Sequence, residues 1–265
     1  MRNLWGPPLT AASNPLDFAK RSVLRLVNAV GFDIVHYPPQ EHPLPPDFGD
    51  EEAEIIRAVR PWTMTSPERI YALIQAVRYV VGASIPGAIV ECGVWRGGSM
   101  AAIARTLLQA KDESRELYLF DTFEGMPTPS TQDVDYSGKQ ASQVLLEDVG
   151  SRCTDAPFEH VQQLLHGTGY PVERIHFVRG KVEETIPVNA PDSIALLRLD
   201  TDWYASTKHE LVHLFPRLAK GGVLIVDDYG HWKGSRQATD EYFAQNRMPI
   251  LLNRIDYTGR IALKP

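Results

Sequence analysis

From Ser66 onward, short apolar runs alternate regularly with stretches that repeat apolar residues at helical spacing. Short continuous apolar runs are typical of strands that are buried on both faces of a sheet. Their alternation with helices predicts an α/β fold with a doubly wound, mostly parallel, Rossmann-like sheet. The seven predicted strands are Ala88–Cys92, Leu117–Phe120, Ile175–Val178, Ile194–Leu199, Val223–Val226, Ile250–Ile255 and Arg260–Leu263.

Helix starts and turns complete this pattern. Ser66 followed by Pro67 is typical of a helix start, because proline is well accommodated at the first helical position. The last two strands flank Tyr257-Thr258-Gly259, which predicts an antiparallel hairpin at the C-terminal edge of the sheet. The helices predicted between the later strands are Ser99–Gln109, Ser206–Ala219 and Ser235–Gln245.

The first sixty residues differ from the rest and predict a separate N-terminal arm, with the main domain at 61–265. Leu16–Val30 has the apolar spacing of an amphipathic helix. Residues 36–50 contain five prolines, which exclude regular structure. We interpret the helix as an arm that packs on the domain or on a second subunit, which favours a homo-oligomer. The proline-rich stretch is interpreted either in the same way or as a lid over a substrate pocket.

Composition narrows the partners and the location. A net charge of −6 argues against a nucleic-acid partner, which would favour a basic patch. No run of 18 apolar residues is present, so we expect no transmembrane helix. Prolines interrupt the N-terminus before a signal peptide could form, and Cys92 and Cys153 do not make a disulfide framework. We therefore expect a cytoplasmic protein with no membrane partner.

Two pairs of aspartates directly follow two of the predicted strands. Asp200 and Asp202 follow one strand, and Asp227 and Asp228 follow the next. Buried carboxylates are costly unless they are paired, hydrogen-bonded or bound to a metal. If the two strands are neighbours, their ends lie roughly 5 Å apart, so the four acids would meet. This pattern indicates a hard-cation site, whereas the alternative is a set of helix caps and surface acids.

A glycine-rich turn, Glu91–Ser99, leads from the first strand into a helix. Glycines let the backbone approach a ligand closely at such a turn. The spacing does not match G-x-G-x-x-G, so the dinucleotide fingerprint is absent. Glu91 suits a cationic or ammonium-bearing ligand better than a pyrophosphate. Asp121, at the end of the second strand, is placed to accept hydrogen bonds from ribose hydroxyls, or alternatively to cap a turn with Thr122. Together these features indicate an adenosine-bearing ligand that needs no phosphate.

Four stretches, IVECGVWRGGSM, LYLFDTFEGMP, LLRLDTDWYAST and GGVLIVDDYGHW, resemble the macrocin O-methyltransferase family in order along the chain. The resemblance runs from about Trp62 to the C-terminus. It implies an S-adenosylmethionine-dependent, Mg²⁺-dependent enzyme that methylates a hydroxyl group of a small molecule, such as a deoxysugar of a glycosylated natural product. It also implies that the first strand is central, with the strand ending at Asp200 beside it and the strand ending at Asp227 next.

The resemblance also implies roles for individual residues. The implied Mg²⁺ ligands are Asp200, Asp227 and Asp228. The implied S-adenosylmethionine-binding residues are Met64 and Thr65 near the methionine part, Gly180, Lys181 and Val182 near adenine, and Glu91, Gly93, Ser99 and Asp121.

Asp202 is left as the candidate general base, because it lies near the mouth of the site and could accept the proton of the attacking hydroxyl. His231 and Asp200 are the other candidates. The structural alternative for Asp202 is to cap the helix that starts near Ser206.

Two rival functions share parts of this pattern. A catechol-type O-methyltransferase would act on a phenolic diol in the same fold. A metal-dependent hydrolase would use the acids to activate water, but it leaves Glu91, the glycine turn and Asp121 without a role.

Overall fold

The computed structural model describes residues 44–147 and 156–265. The helices are α1 (Asp50–Val59), α2 (Pro67–Gly82), α3 (Gly98–Gln109), α4 (Ala141–Glu147), α5 (Phe158–His166), α6 (Val182–Thr185), α7 (Tyr204–Leu214) and α8 (Lys233–Gln245). The strands are β1 (Ala88–Cys92), β2 (Leu117–Asp121), β3 (Ile175–Arg179), β4 (Ile194–Leu199), β5 (Leu218–Val226), β6 (Asn253–Arg254) and β7 (Arg260–Leu263). The predicted helix Leu16–Val30 and Cys153 lie outside the described residues.

The seven strands form one sheet in the order β3-β2-β1-β4-β5-β7-β6. Strands β1 to β5 are parallel, whereas β7 runs antiparallel to β5 and to β6. This confirms the doubly wound α/β sheet and the C-terminal hairpin. In the register, Cys92 lies opposite Leu199, and Leu199 lies opposite Val226. The residues that follow β1, β4 and β5 therefore meet at one edge, where the strand order reverses and α/β proteins bind ligands.

Two apolar layers cover the faces of the sheet. On one face, Ile89 and Leu196 pack in a cluster with residues of α2 and α3, including Leu73 and Met100. On the other face, the neighbouring strand residues pack with α7 and α8. Burying each large apolar side chain contributes about 1.5–3 kcal/mol. The central strands β1 and β4 are buried along their whole length, so the edge described above lies at the ends of fully buried strands.

Several element boundaries differ from the sequence prediction, among them the start of β5 at Leu218 and not at Val223, and one helix was not predicted. Helix α7 ends at Leu214 and not at Ala219, because Pro216 has no N–H group to continue the helix and starts a short 3₁₀ turn. Strand β6 is limited to Asn253–Arg254. Helix α1 was not predicted, yet its apolar face packs on α2 and α3. The boundary between arm and domain at residue 60 stays a prediction.

The start of α2 is confirmed by its cap. The Ser66 side chain accepts a hydrogen bond from the backbone N–H of Arg69 at 3.2 Å, and Pro67 is the first helical residue. Within residues 44–147 and 156–265, no helix is long and apolar enough to cross a membrane.

The central position of β4 gives a stability prediction. We expect Leu196→Ala, at a fully buried position, to lower the free energy of unfolding by about 2–5 kcal/mol, because it leaves a cavity in the core. Leu251→Ala, at a position that is 75% exposed, is the matched control and should change it by about 0.5 kcal/mol or less. Urea unfolding of both variants measures the difference, and equal effects would contradict this account of the core.

Candidate active site

Three of the four predicted aspartates converge at the edge where β4 and β5 end. One carboxylate oxygen from each of Asp200, Asp227 and Asp228 lies within 4.8 Å of the others. The side chains of Asp227 and Asp228 are buried, and that of Asp200 is partly exposed. An all-oxygen set of this size fits a hard divalent cation, so the residues present are compatible with the predicted Mg²⁺ site.

A buried arginine joins these acids from behind. Nη1 of Arg198, in β4, donates to Glu91 at 2.5 Å and to Asp200 at 2.7 Å. Its Nη2 donates to Asp227 at 2.6 Å and to Thr65 at 3.2 Å. The sequence interpretation missed Arg198, although a charged residue inside an otherwise apolar strand was a visible signal.

A second arginine reaches the same acids from α2. Nη1 of Arg69 donates to Oδ2 of Asp227, and its Nε donates to Asp256 at 3.0 Å. Arg198 contacts the other oxygen of Asp227, Oδ1. Both oxygens of Asp227 therefore accept a hydrogen bond from an arginine. Nothing in the local sequence around Arg69 or Asp256 indicated this contact.

Burial and mutual repulsion shift the ionisation of the cluster. Burial, together with the nearby Asp202, raises the pKa of Asp228 well above its usual range. Burial also raises the pKa of Asp200, against the effect of Arg198, and it raises the pKa of Glu91 to about 7. Burial alone would lower the pKa of Arg198, but Asp200, Asp227 and Glu91 outweigh it and hold the guanidinium charged. A site in which acids outnumber bases in this way attracts cations.

Asp202 is oriented by two contacts inside the site. Its Oδ1 accepts a hydrogen bond from the indole Nε1 of Trp232 at 2.6 Å, and its backbone N–H donates to Asp228 at 3.2 Å. Burial and the nearby Asp200 raise the pKa of Asp202 to about 7. The helix-cap alternative for Asp202 is not observed, because the N–H of Tyr204 at the start of α7 donates to Asp133. Asp202 is thus free of a capping role.

His231 lies in the same cleft but makes weaker contacts. Its Nδ1 lies 3.3 Å from the hydroxyl of Tyr257, and its ring meets the rings of Tyr136 and Trp232 edge to face. Burial lowers the pKa of His231, so the imidazole is neutral near pH 7. His231 is therefore packed among aromatic side chains.

Two clefts meet at this edge of the sheet, and they share Trp95 and Asp200. The first cleft includes five of the predicted cofactor residues, Gly93, Asp121, Gly180, Lys181 and Val182. The second contains the four aspartates and His231, together with the predicted cofactor residues Met64, Thr65 and Ser99. Glu91 lines neither cleft: it is fully buried, and its Oε2 has no hydrogen-bond partner among the described residues.

The floor of the first cleft is built by Asp121 and the glycine turn. Oδ2 of Asp121 accepts hydrogen bonds from the N–H groups of Val94 and Trp95, and its Oδ1 accepts one from Phe123. Both acceptor positions of Oδ2 are thus occupied, whereas Oδ1 has a second position that could accept a ribose hydroxyl. Gly93 has a φ of +82°, and a Cβ there would overlap the carbonyl group of Asp200. Only glycine permits this close approach of the turn to the end of β4.

Comparisons with known proteins agree with this fold, which is that of an α/β methyltransferase. The model of the macrocin O-methyltransferase family matches residues 55–263, and the chain belongs to that family. It is therefore an O-methyltransferase, and the hydrolase alternative is wrong.

The relatives support this assignment over most of the chain. The demethyldecarbamoylnovobiocin O-methyltransferase of Streptomyces niveus is 32% identical over 74% of this chain and 73% of its own length. The 8-demethyl-8-(2,3-dimethoxy-alpha-L-rhamnosyl)-tetracenomycin-C 4'-O-methyltransferase of Streptomyces olivaceus is 32% identical over 80% of each. The structure of the O-methyltransferase NovP is 31% identical, has a TM-score of 0.66 and covers 77% of this chain and 82% of its own. A calicheamicin methyltransferase, 20% identical with a TM-score of 0.58, covers 99% of both chains and shares the fold.

The buried arginine gives a prediction for the whole cluster. We expect Arg198→Leu to lower the free energy of unfolding by about 3–5 kcal/mol, because it leaves buried carboxylates without their partner. Those carboxyl groups would then bind protons more readily in the folded than in the unfolded state, so stability should increase as the pH falls. The loss should therefore be smaller at about pH 5 than at about pH 7.5. Urea unfolding at the two pH values measures it.

Arg78→Leu is the matched control for this variant. Arg78 lies on α2 and pairs with Glu51 and Glu52 near the surface, where an ion pair contributes about 0–1 kcal/mol. If Arg198→Leu lowered the free energy of unfolding by no more than the control does, the account of the buried network as the support of the site would be wrong.

Proposed function

We propose that the enzyme transfers a methyl group from S-adenosylmethionine to a hydroxyl group of a glycosylated natural product, with Mg²⁺ as a cofactor. The observation that carries this proposal is the meeting of the two clefts at Trp95 and Asp200. One cleft has the features of an adenosine site, and the other contains the converging acids. A methyl donor in the first and an acceptor in the second would have their reacting groups at this junction.

The first cleft would hold the adenosine part of the cofactor. Oδ1 of Asp121 would accept a ribose hydroxyl, and the backbone from Gly180 to Val182 would lie along the adenine ring. Met64, Thr65 and Ser99 line the second cleft, where the methionine part would extend. Glu91 has no access to either cleft, so we propose that it acts on the cofactor site only through Arg198.

The three converging acids would hold Mg²⁺. When bound, the cation would supply positive charge that fixes two neighbouring acceptor oxygens and lowers the pKa of the attacking hydroxyl. Asp228 is the acid in this set with no arginine contact among the described residues. We therefore expect Asp228 to contribute most to the affinity for the cation.

Asp202 would receive the proton of the acceptor hydroxyl as the oxygen attacks the methyl carbon. The Trp232 indole holds the carboxylate of Asp202 and Asp228 holds its backbone N–H, and these contacts would keep the base aimed at the cleft. Trp95 and the acids would hold the two reactants in near-attack geometry, from which much of the rate enhancement would come. His231 is the second candidate base, and its contacts favour a role in binding the acceptor.

We propose that the second cleft receives a sugar attached to a larger aglycone. Aromatic side chains surround it, and Trp62 and Tyr257 in its lining are partly exposed. The name of the tetracenomycin relative includes a rhamnosyl group, and that of another relative includes mycinamicin. We therefore propose a deoxysugar as the acceptor, with a phenolic diol as the competing class. A homo-oligomer and a cytoplasmic location remain predictions.

The proposed cofactors can be tested by separating binding from turnover. We expect Asp228→Asn to weaken Mg²⁺ binding and to lower methyl transfer at least about 100-fold, while S-adenosylmethionine still binds with the wild-type affinity. Titration calorimetry measures the binding of Mg²⁺ and of S-adenosylmethionine. An assay for S-adenosylhomocysteine measures methyl transfer to a panel of deoxysugar glycosides and simple catechols. Asp240→Asn, at an exposed site on α8, is the control. Wild-type protein that does not bind S-adenosylmethionine would overturn the proposed function.

The role of Asp202 predicts a pH dependence with a definite sign. Because protonated Asp202 cannot accept a proton, kcat should increase with pH, with a midpoint at or below the pKa of about 7. A cation bound nearby would move the midpoint down. Asp202→Asn should lower kcat about 10²–10⁴-fold and remove this pH dependence, with little change in KM. His231→Gln should retain it. If the pH dependence of kcat were lost in His231→Gln and retained in Asp202→Asn, then His231 would be the base and Asp202 would not.

A further inference from the structure

We propose that Arg69 competes with the metal ion for Asp227 and thereby sets the affinity and selectivity of the metal site. The inference rests on the proposed metal role of the aspartates. Arg69 is not one of these aspartates. It lies on helix α2, 158 residues before Asp227 in the sequence, and its side chain contacts Asp227.

The first argument is the occupancy of Asp227. A carboxylate that binds a metal needs an oxygen directed at the cation. In the structure, Oδ1 of Asp227 accepts a hydrogen bond from Arg198 and its Oδ2 accepts one from Arg69. Each of its oxygens is thus already in contact with a positive charge. A metal ion that takes Asp227 as a ligand must share or displace one of these two contacts.

The second argument concerns which of the two arginines can release Asp227. Arg198 is 2% exposed and is held by Glu91, Asp200, Asp227 and Thr65. Withdrawing it would leave several buried groups without a partner. The side chain of Arg69 is 12% exposed and lines the cleft that contains the acids. Arg69 is therefore the cation that can move aside at lower cost.

The third argument is electrostatic. One carboxylate oxygen from each of Asp200, Asp227 and Asp228 lies within 4.8 Å of the others, so an ion among them would be close to a guanidinium in contact with Asp227. Like charges at such a separation repel strongly in a site of low dielectric. Burial tends to lower the pKa of Arg69, but Asp227, Asp200 and Asp256 hold it charged, so deprotonation does not relieve the repulsion.

Asp256 provides a place for Arg69 while a metal is bound. It accepts the Nε–H of Arg69 and is itself fixed by the Ser66 hydroxyl and by the N–H groups of Thr258 and Gly259. Arg69 can give up its Nη1 contact with Asp227 and keep this Nε contact. Tyr257 and Thr258, which follow Asp256, line the second cleft, where the acceptor would bind. Metal binding and acceptor binding would therefore be coupled through Arg69.

The alternative is that Arg69 only positions Asp227 for the metal, and the two roles predict opposite signs. If Arg69 competes, its removal strengthens metal binding. If it positions the ligand, its removal weakens binding. Titration calorimetry of the full chain with MgCl₂ and with MnCl₂, without cofactor or acceptor, measures this sign directly and does not depend on turnover.

We expect Arg69→Gln to bind the metal at least about tenfold more tightly than the wild type, because a repelling charge is removed. Arg78→Gln, on the same helix but paired with Glu51 and Glu52, is the matched control and should bind as the wild type does. Equal or weaker binding by Arg69→Gln would overturn the proposal.

Arg69→Lys keeps the proposal testable if Arg69→Gln does not fold. Lysine retains the charge but cannot contact Asp227 and Asp256 through two separate nitrogens, so its affinity for the metal should lie between those of the wild type and Arg69→Gln. Binding weaker than that of the wild type in this variant would overturn the competition, because a positioning role predicts that sign.

The same titrations separate this inference from the proposed function. A wild type that binds no metal, beside an Arg69→Gln variant that does, supports the competition. Absence of binding in both contradicts the metal site and the competition together, whereas S-adenosylmethionine binding, measured separately, would still support the methyltransferase site. Adding Asp228→Asn to Arg69→Gln should abolish the gained affinity, and binding that persists would place the metal elsewhere and overturn the proposal.

Discussion

The site depends on one buried ion network centred on Arg198. Its guanidinium contacts Glu91 at the end of β1, Asp200 directly after β4 and Asp227 directly after β5. These three strands are neighbours in the sheet, so one side chain joins the ends of the three central strands. Without its charge the carboxylates would repel one another in a region from which water is excluded. The arrangement of the three strand ends and the positions of the acids therefore depend on the same side chain.

The sequence predicted the sheet well because its signals are local. The strands Ala88–Cys92 and Ile194–Leu199 were predicted with the bounds that the structure shows, since each is a short apolar run bordered by polar or turn residues. The convergence of the acids followed from their positions at the ends of neighbouring parallel strands. Arg198 could have been noticed as well, because a charge inside a buried strand requires a partner.

The contacts that surround each acid could not be predicted, because they join residues far apart in the sequence. Arg69 and Asp256 are separated by 187 residues, and Asp133, which meets the start of α7, comes from a loop 71 residues before it. No local pattern marks such pairs. The sequence therefore placed the four aspartates together but left the division between Asp200 and Asp202 open.

Opposed contacts explain how two aspartates in the same short motif can do different work. Asp200 faces inward to Arg198, which favours its ionised form, whereas Asp202 faces an indole N–H and the acidic Asp228. The left-handed backbone at Asp202, with a φ of +66°, turns the chain sharply between them and directs the second carboxylate into the cleft. Burial raises the pKa of both carboxyl groups, and of the two only Asp200 has a guanidinium contact that opposes this effect. A lasting positive partner suits a ligand, and its absence suits a group that takes up a proton. The backbone turn at Asp202 thus supports the proposed division of this motif into a metal ligand and a base.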